Sequence, residues 1–131
     1  MLETISLIVG VASSLVTLAG HVTDKDRHKR NNAAQLLLFI GETLEEAVEK
    51  LKVNEVPHGA CEIIQQCARD MPTALGGLFP TAELQELSAK LEHAHQVERL
   101  VITTQQHPES LIELEKAVGQ FKLATQLLQI K

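Results

Sequence analysis

The chain has 131 residues, a net charge of −5, apolar residues at 44% and aromatic residues at only 2%. That length fits one domain, 1–131, able to bury a core without a metal or disulfide. The scarcity of aromatics points to a Leu, Ile, Val and Ala core of packed helices rather than sheets, and the acidic balance argues against a nucleic-acid partner.

The first predicted element is Thr4 to Val22, TISLIVGVASSLVTLAGHV, nineteen residues without a formal charge. On a helix, Glu3, Ser6, Gly10, Ser13, Thr17 and Gly20 recur at three- and four-residue steps and form one narrow stripe of small or polar residues. The remaining circumference is apolar, which suits the middle of a bundle or a membrane span, and small residues let a neighbouring backbone come close. The absence of Trp and Tyr and the five side chains Ser6, Ser13, Ser14, Thr17 and His21 favour the bundle. Glu3, with no Lys or Arg before the apolar run, argues against a secretory signal. Together with two cysteines it indicates a reducing, cytoplasmic setting.

Residues 23–32, TDKDRHKRNN, are the most polar run and read as a linker or as the exposed start of a second helix, with Thr23 or Asp24 as cap. Lys25, Arg27, Lys29 and Arg30 form a candidate patch for anionic lipid or phosphate; a solvated turn is the plainer interpretation. From Ala33 to Lys52 the period is strict. Leu37, Leu44 and Leu51 lie seven apart with Ile40 and Ala47 between them, while Glu42, Glu45, Glu46 and Glu49 fall off the seam. Glu46 and Lys50 have the spacing and order of a favourable exposed pair.

Pro57 opens a third helix, expected to reach Asp70 with Ala60, Ile64, Cys67 and Met71 inward. Cys61 and Cys67 are six apart, a spacing foreign to zinc ligands, and read as core residues. MPTALGGLFP reads as a turn whose Leu75, Leu78 and Phe79 plug one end of the core. A fourth helix is expected from Thr81 to about Ile102, with Leu84, Leu87, Leu91, Ala94 and Val101 buried and Val97 beside them. TTQQHP connects it to a last helix, Glu109 to Ile130, whose stripe is wide enough for two neighbours. On that helix Leu111, Leu114, Val118, Phe121 and Leu128 form a candidate self-association face.

Chemistry is thin. No nucleophile set, phosphate-binding loop or dinucleotide fingerprint occurs. Glu92 and His95 make one Glu-x-x-His half of a carboxylate-bridged metal site, but Glu55–His58 spans Pro57, so no second half exists. No catalytic residue, cofactor or metal is therefore expected.

MLETISLIVGVASSLVTLAG, followed by helical periodicity, resembles the start of HeLo-like helical domains of cell-death executioner proteins. That resemblance implies a helical bundle whose first helix can be released to attack membranes. Periodicity without catalytic residues makes the leading expectation an all-α antiparallel four- to five-helix bundle, its apolar N-terminal helix packed centrally. It would serve non-enzymatic protein interaction or self-association. A membrane-directed effector releasing residues 4–22 is the alternative, and a metal- or cofactor-binding bundle the third.

Overall fold

The computed structural model describes residues 3–94 and 96–129, with the side chain of Glu3 outside the description. Six helices follow one another among them: α1 (Glu3–Gly20), α2 (Arg27–Lys52), α3 (His58–Ala74), α4 (Thr81–Ala94), α5 (Val97–Gln106) and α6 (Ser110–Leu128). The chain is all-α, with more helices than the four or five expected. Packing runs in a ring: α1 on α6, α6 on α2, α2 on α3, α3 on α4, and α4 back on α1, while α5 leans on α1 and α6. Leu, Ile, Val and Ala fill the centre, and Phe121 and Phe79 are its two buried aromatic residues.

Helix α1 presents Ile5, Ile8, Val11, Ala12, Leu15 and Ala19 to this core. Its small-residue stripe faces outward, with Ser6, Gly10, Thr17 and Gly20 exposed and Ser13 half-buried. A Cβ placed on Gly10 or Gly20 would meet nothing within 4 Å, so these glycines admit no neighbouring backbone, contrary to expectation. The close approach lies instead on α2. A Cβ on the buried Gly41 would stand 3.0 Å from Cβ of Phe121 and 3.7 Å from the Val118 carbonyl, which is why α2 and α6 can lie against each other there. Leu37, Ile40, Leu44, Ala47 and Leu51 are buried as their spacing predicts.

The cap of α2 is neither Thr23 nor Asp24. Asp26 accepts from the backbone N–H groups of His28 (3.0 Å) and Lys29 (3.2 Å), satisfying two donors that the first turn leaves open. Asp24 accepts from the Asp26 N–H at 2.8 Å, which holds its carboxyl below the usual range, with Lys29 adding to the effect. At the other end, Asn54 takes φ 60°, Glu55 N–H donates to Lys50 O (2.8 Å) and Asn54 N–H to Leu51 O (3.2 Å). This paired geometry is a left-handed helix stop, and Asn is the non-glycine residue best suited to it.

Helix α3 runs four residues past its expected end and carries Pro72 inside its last turn. A proline there has no N–H for the carbonyl four residues back, that of Ala68. The buried hydroxyl of Ser88 on α4 donates to that carbonyl instead. The helix therefore tolerates its proline because a neighbouring helix supplies the missing donor. Beyond it, Leu75 and Phe79 are buried and Leu78 half-buried, forming the expected plug.

The single helix expected over Thr81–Ile102 is two, separated around Gln96, whose backbone is extended. No Pro or Gly marks the break. The cause is phase. Leu84, Leu87, Leu91 and Ala94 face the core, and an unbroken helix would carry that stripe on to Glu98. The interruption turns Glu98 to solvent and points Leu100 inward, with Val97 and Val101 half-buried. Residues expected to connect, 103–106, belong to α5. Its buried Thr104 satisfies its hydroxyl on the Leu100 carbonyl at 2.9 Å.

Candidate functional site

The four basic residues of the 23–32 run do not act together. Arg30 is half-buried and points inward: its Nε donates to Leu128 O (2.8 Å), Nη2 to Leu127 O (2.9 Å), and Nη1 to Asp24 O (3.1 Å) and Val22 O (3.3 Å). Two of these carbonyls close α6, where the helix end is electronegative, and two belong to the α1–α2 turn. The planar fork of the guanidinium suits this multiple donation. Arg30 is thus a clamp between distant parts of the chain and leaves the anion patch. Lys29 pairs with Asp24 at 3.6 Å, and Lys25 and Arg27 remain exposed. Of the four candidate cations, Lys25 and Arg27 make no ion pair among the described residues, and Asp24 and Asp26 flank Lys25 in the chain.

The expected self-association face also changes. Leu114, Val118, Phe121 and Leu128 are core residues against α1 and α2, and Leu111 is half-buried. Their wide stripe is consumed by two neighbours within the chain. What α6 offers to the outside is its opposite face: Ile112 is 58%, Leu123 44% and Leu127 40% exposed. At about 100° per residue these three lie within a ~60° arc, with Gly119 between them, and span roughly 22 Å. Gly119 has nothing within 4 Å of a Cβ position, and Lys116, paired with Glu113 at 3.3 Å, stands in the same arc between Ile112 and Leu123. In the sequence Ile112 and Leu127 only widen the stripe of α6 to a breadth that suits two neighbours, and nothing there singles out Leu123.

Against the flank of α6 that carries Glu115, Lys122 and Thr125 runs α2. Contacts join Thr125 to Ala34 (3.4 Å), Lys122 to Glu45 (3.3 Å) and Glu115 to Lys52 (2.5 Å), so positions rise on one helix as they fall on the other. This register sets Glu42, Glu46 and Glu49 level with the middle of α6 along the bundle. Lys52 is shared between Glu115 and Glu49 (3.5 Å), an arrangement that raises the affinity of its amine for its proton, chiefly through Glu115. Glu42 and Glu46 are exposed and make no ion pair among the described residues. The expected Glu46–Lys50 pair does not form; Lys50 lies 3.9 Å from Glu55.

The metal alternative finds no assembled ligand set. Glu92 is bound by Arg69 Nε at 2.6 Å, joining α4 to α3, and its expected companion His95 lies outside the described residues. Cys61 and Cys67 are buried and unbonded to each other, and burial pushes the Cys61 thiol up to about 11. Among the described residues no group of three His, Cys, Asp or Glu side chains converges. A shallow groove of about 530 Å³ lies between α1 and α4, lined by Ser14, Thr17, His21, Glu83 and the Glu86–Lys90 pair (2.8 Å). It is open to solvent, and among the described residues no hydrogen bond joins Ser14, His21 and Glu83 to one another.

No described helix is long and apolar enough to cross a membrane. No known protein family matches the chain, and neither characterised proteins nor solved structures show a significant match to it.

Proposed function

We propose that the chain is a non-enzymatic interaction module, an antiparallel helical bundle that binds another polypeptide through the outward face of α6. The observation that carries this reading is the ridge of Ile112, Leu123 and Leu127 on a helix whose inner face is already fully used. Single exposed apolar residues are ordinary on protein surfaces; three aligned on one helix face form the pattern into which a partner helix packs.

A membrane-directed role for α1 is less well supported by energetics. Withdrawing the buried Ile5, Ile8, Val11 and Leu15 forfeits roughly 8 kcal/mol at about 2 kcal/mol each. That is comparable with the whole stability of a small domain, so releasing α1 amounts to unfolding it.

The test is binding of amphipathic helical peptides, varied in flank charge, to the wild-type chain and to an Ile112→Ser/Leu123→Ser variant. The wild type is expected to bind at least one with micromolar affinity, and the variant to lose about tenfold, in line with two apolar contacts. Absence of binding by the wild type, or equal binding by the variant, would overturn the reading.

A further inference from the structure

The ring of α1, α6, α2, α3 and α4 closes without α5, which rests mainly on α1 and α6. The sequence of α5 is a weak helix former. Five of its ten residues, Val97, Val101, Ile102, Thr103 and Thr104, are β-branched, and such side chains lose rotamer freedom on a helix. A helix this short does not hold alone in water, so α5 depends on its seat. That seat is narrow: Leu100 is its one large side chain fully buried, with Thr103 and Thr104 buried beside it. Both ends are loosely fastened. Gln96 at the start has extended backbone (φ −75°, ψ 111°) and gives no side-chain cap, and His107 at the end (φ −132°, ψ 77°) leaves the helix directly before Pro108. Just beyond, the Ser110 hydroxyl is buried with no hydrogen-bond partner, so the joint with α6 is imperfect. Toward α3, Val97 faces His58, Cys61 and Glu62 across an open groove of about 230 Å³.

We propose that α5 is a flap: it melts off the bundle as one unit, hinged at Gln96 and His107, while the five-helix ring stays folded. Releasing α1 exposes Ile5, Ile8, Val11 and Leu15, whereas releasing α5 exposes Leu100 as its only large core side chain. Opening of this kind loses fewer contacts than global unfolding and is populated accordingly more. Because α5 has too little helix propensity to persist once lifted, lifting and melting coincide. The open form uncovers the apolar seat of Leu100 within the core. A ligand that binds this seat acts by its preference for the open form and holds the flap away. The inference stands apart from the outward face of α6, since it concerns the inner side of the bundle.

Amide hydrogen exchange followed residue by residue by NMR on the full chain makes the test. The amides of Leu100 to Gln106 are expected to share one protection level, at least about tenfold below that of the buried middles of α2 and α6. Two variants separate flap from ring. Ile40→Val, at a fully buried position of α2, weakens the ring in the closed and open forms alike. It is expected to speed exchange in α2 and α6 about fivefold and to leave α5 unchanged. Gln96→Asp supplies the missing cap at an exposed position and is expected to slow exchange throughout α5 about fivefold. Protection in α5 equal to that of α2 and α6 overturns the inference. Acceleration of α5 by Ile40→Val to the same extent as α2 does so too, since both results mean that α5 opens only when everything does. Protection that rises steadily from the ends of α5 to its middle shows fraying instead of a unit and likewise overturns it. An α5 indifferent to Gln96→Asp removes the hinge from Gln96, and the flap with it.

Discussion

Helices α1 and α6 lie against each other, and their outward faces carry opposite chemistry. The first is almost wholly apolar in sequence, yet it shows solvent Ser6, Gly10, Ser14, Thr17 and Gly20. The second has charges throughout, yet it shows Ile112, Leu123 and Leu127. An average over a helix therefore misleads about which one seeks a partner. The residues left over after the core is filled decide it, and α1 has none of size to spare.

The largest effect that would test this comparison comes from the inner face of α1. Leu15 is fully buried, and Leu15→Ala is expected to cost about 3 kcal/mol through lost transfer energy and an unfilled cavity. Urea denaturation followed by circular dichroism measures it. A cost below about 1 kcal/mol would mean that α1 is loosely held, and would return weight to a helix that can leave the fold.

Smaller, and acting on the joint between the two helices, is Arg30. Replacing it with Ala removes the donors to the Leu127 and Leu128 carbonyls and to those of Val22 and Asp24. The expected loss is about 2 kcal/mol, since charge-assisted bonds are worth more than neutral ones but share one side chain. Arg30→Lys is expected to restore less than half, because an ammonium cannot serve carbonyls arranged around a planar fork. Thermal denaturation of the three proteins side by side separates these outcomes. Full rescue by Lys would show that charge near the end of α6 suffices, and that the clamp geometry contributes nothing.

Arg30 also marks where reading the sequence reached its limit. Local periodicity made the helices and most core positions legible: the seven-residue spacing of Leu37, Leu44 and Leu51, the inward Ile64 and Met71, and the plug at Leu75 and Phe79 all follow from one helix considered alone. What required a second element was hidden. Arg30 looks like surface charge until the end of α6, 98 residues away, arrives beside it. Pro72 looks like a helix terminator until Ser88 answers the Ala68 carbonyl. The break near Gln96 carries no Pro or Gly and is imposed by the phase of α4 against its neighbours. On α6, the inner stripe was read as available because the pattern shows which residues are apolar but not how many neighbours cover them. Ile112 and Leu127 belong to the same wide stripe in the sequence, and only the burial of Leu114, Val118, Phe121 and Leu128 shows which part of it remains exposed.

The smallest effect on stability carries the sharpest form of the comparison. Ile112→Ser and Leu123→Ser remove side chains that solvent already reaches, so each is expected to change folding free energy by less than about 0.5 kcal/mol apart from a small helix-propensity cost. The same polar substitution at Ile8, fully buried on α1, should destabilise by several times as much, at about 3 kcal/mol or more. Chemical denaturation of the three single variants checks the ranking directly. If Ile112→Ser or Leu123→Ser proved as damaging as the α1 change in a dilute monomer, the outward face of α6 would be part of the core and no ridge would remain for a partner. If the loss grew with protein concentration, the face would be covered by a second copy in solution, because only an associated state links stability to the amount of protein present.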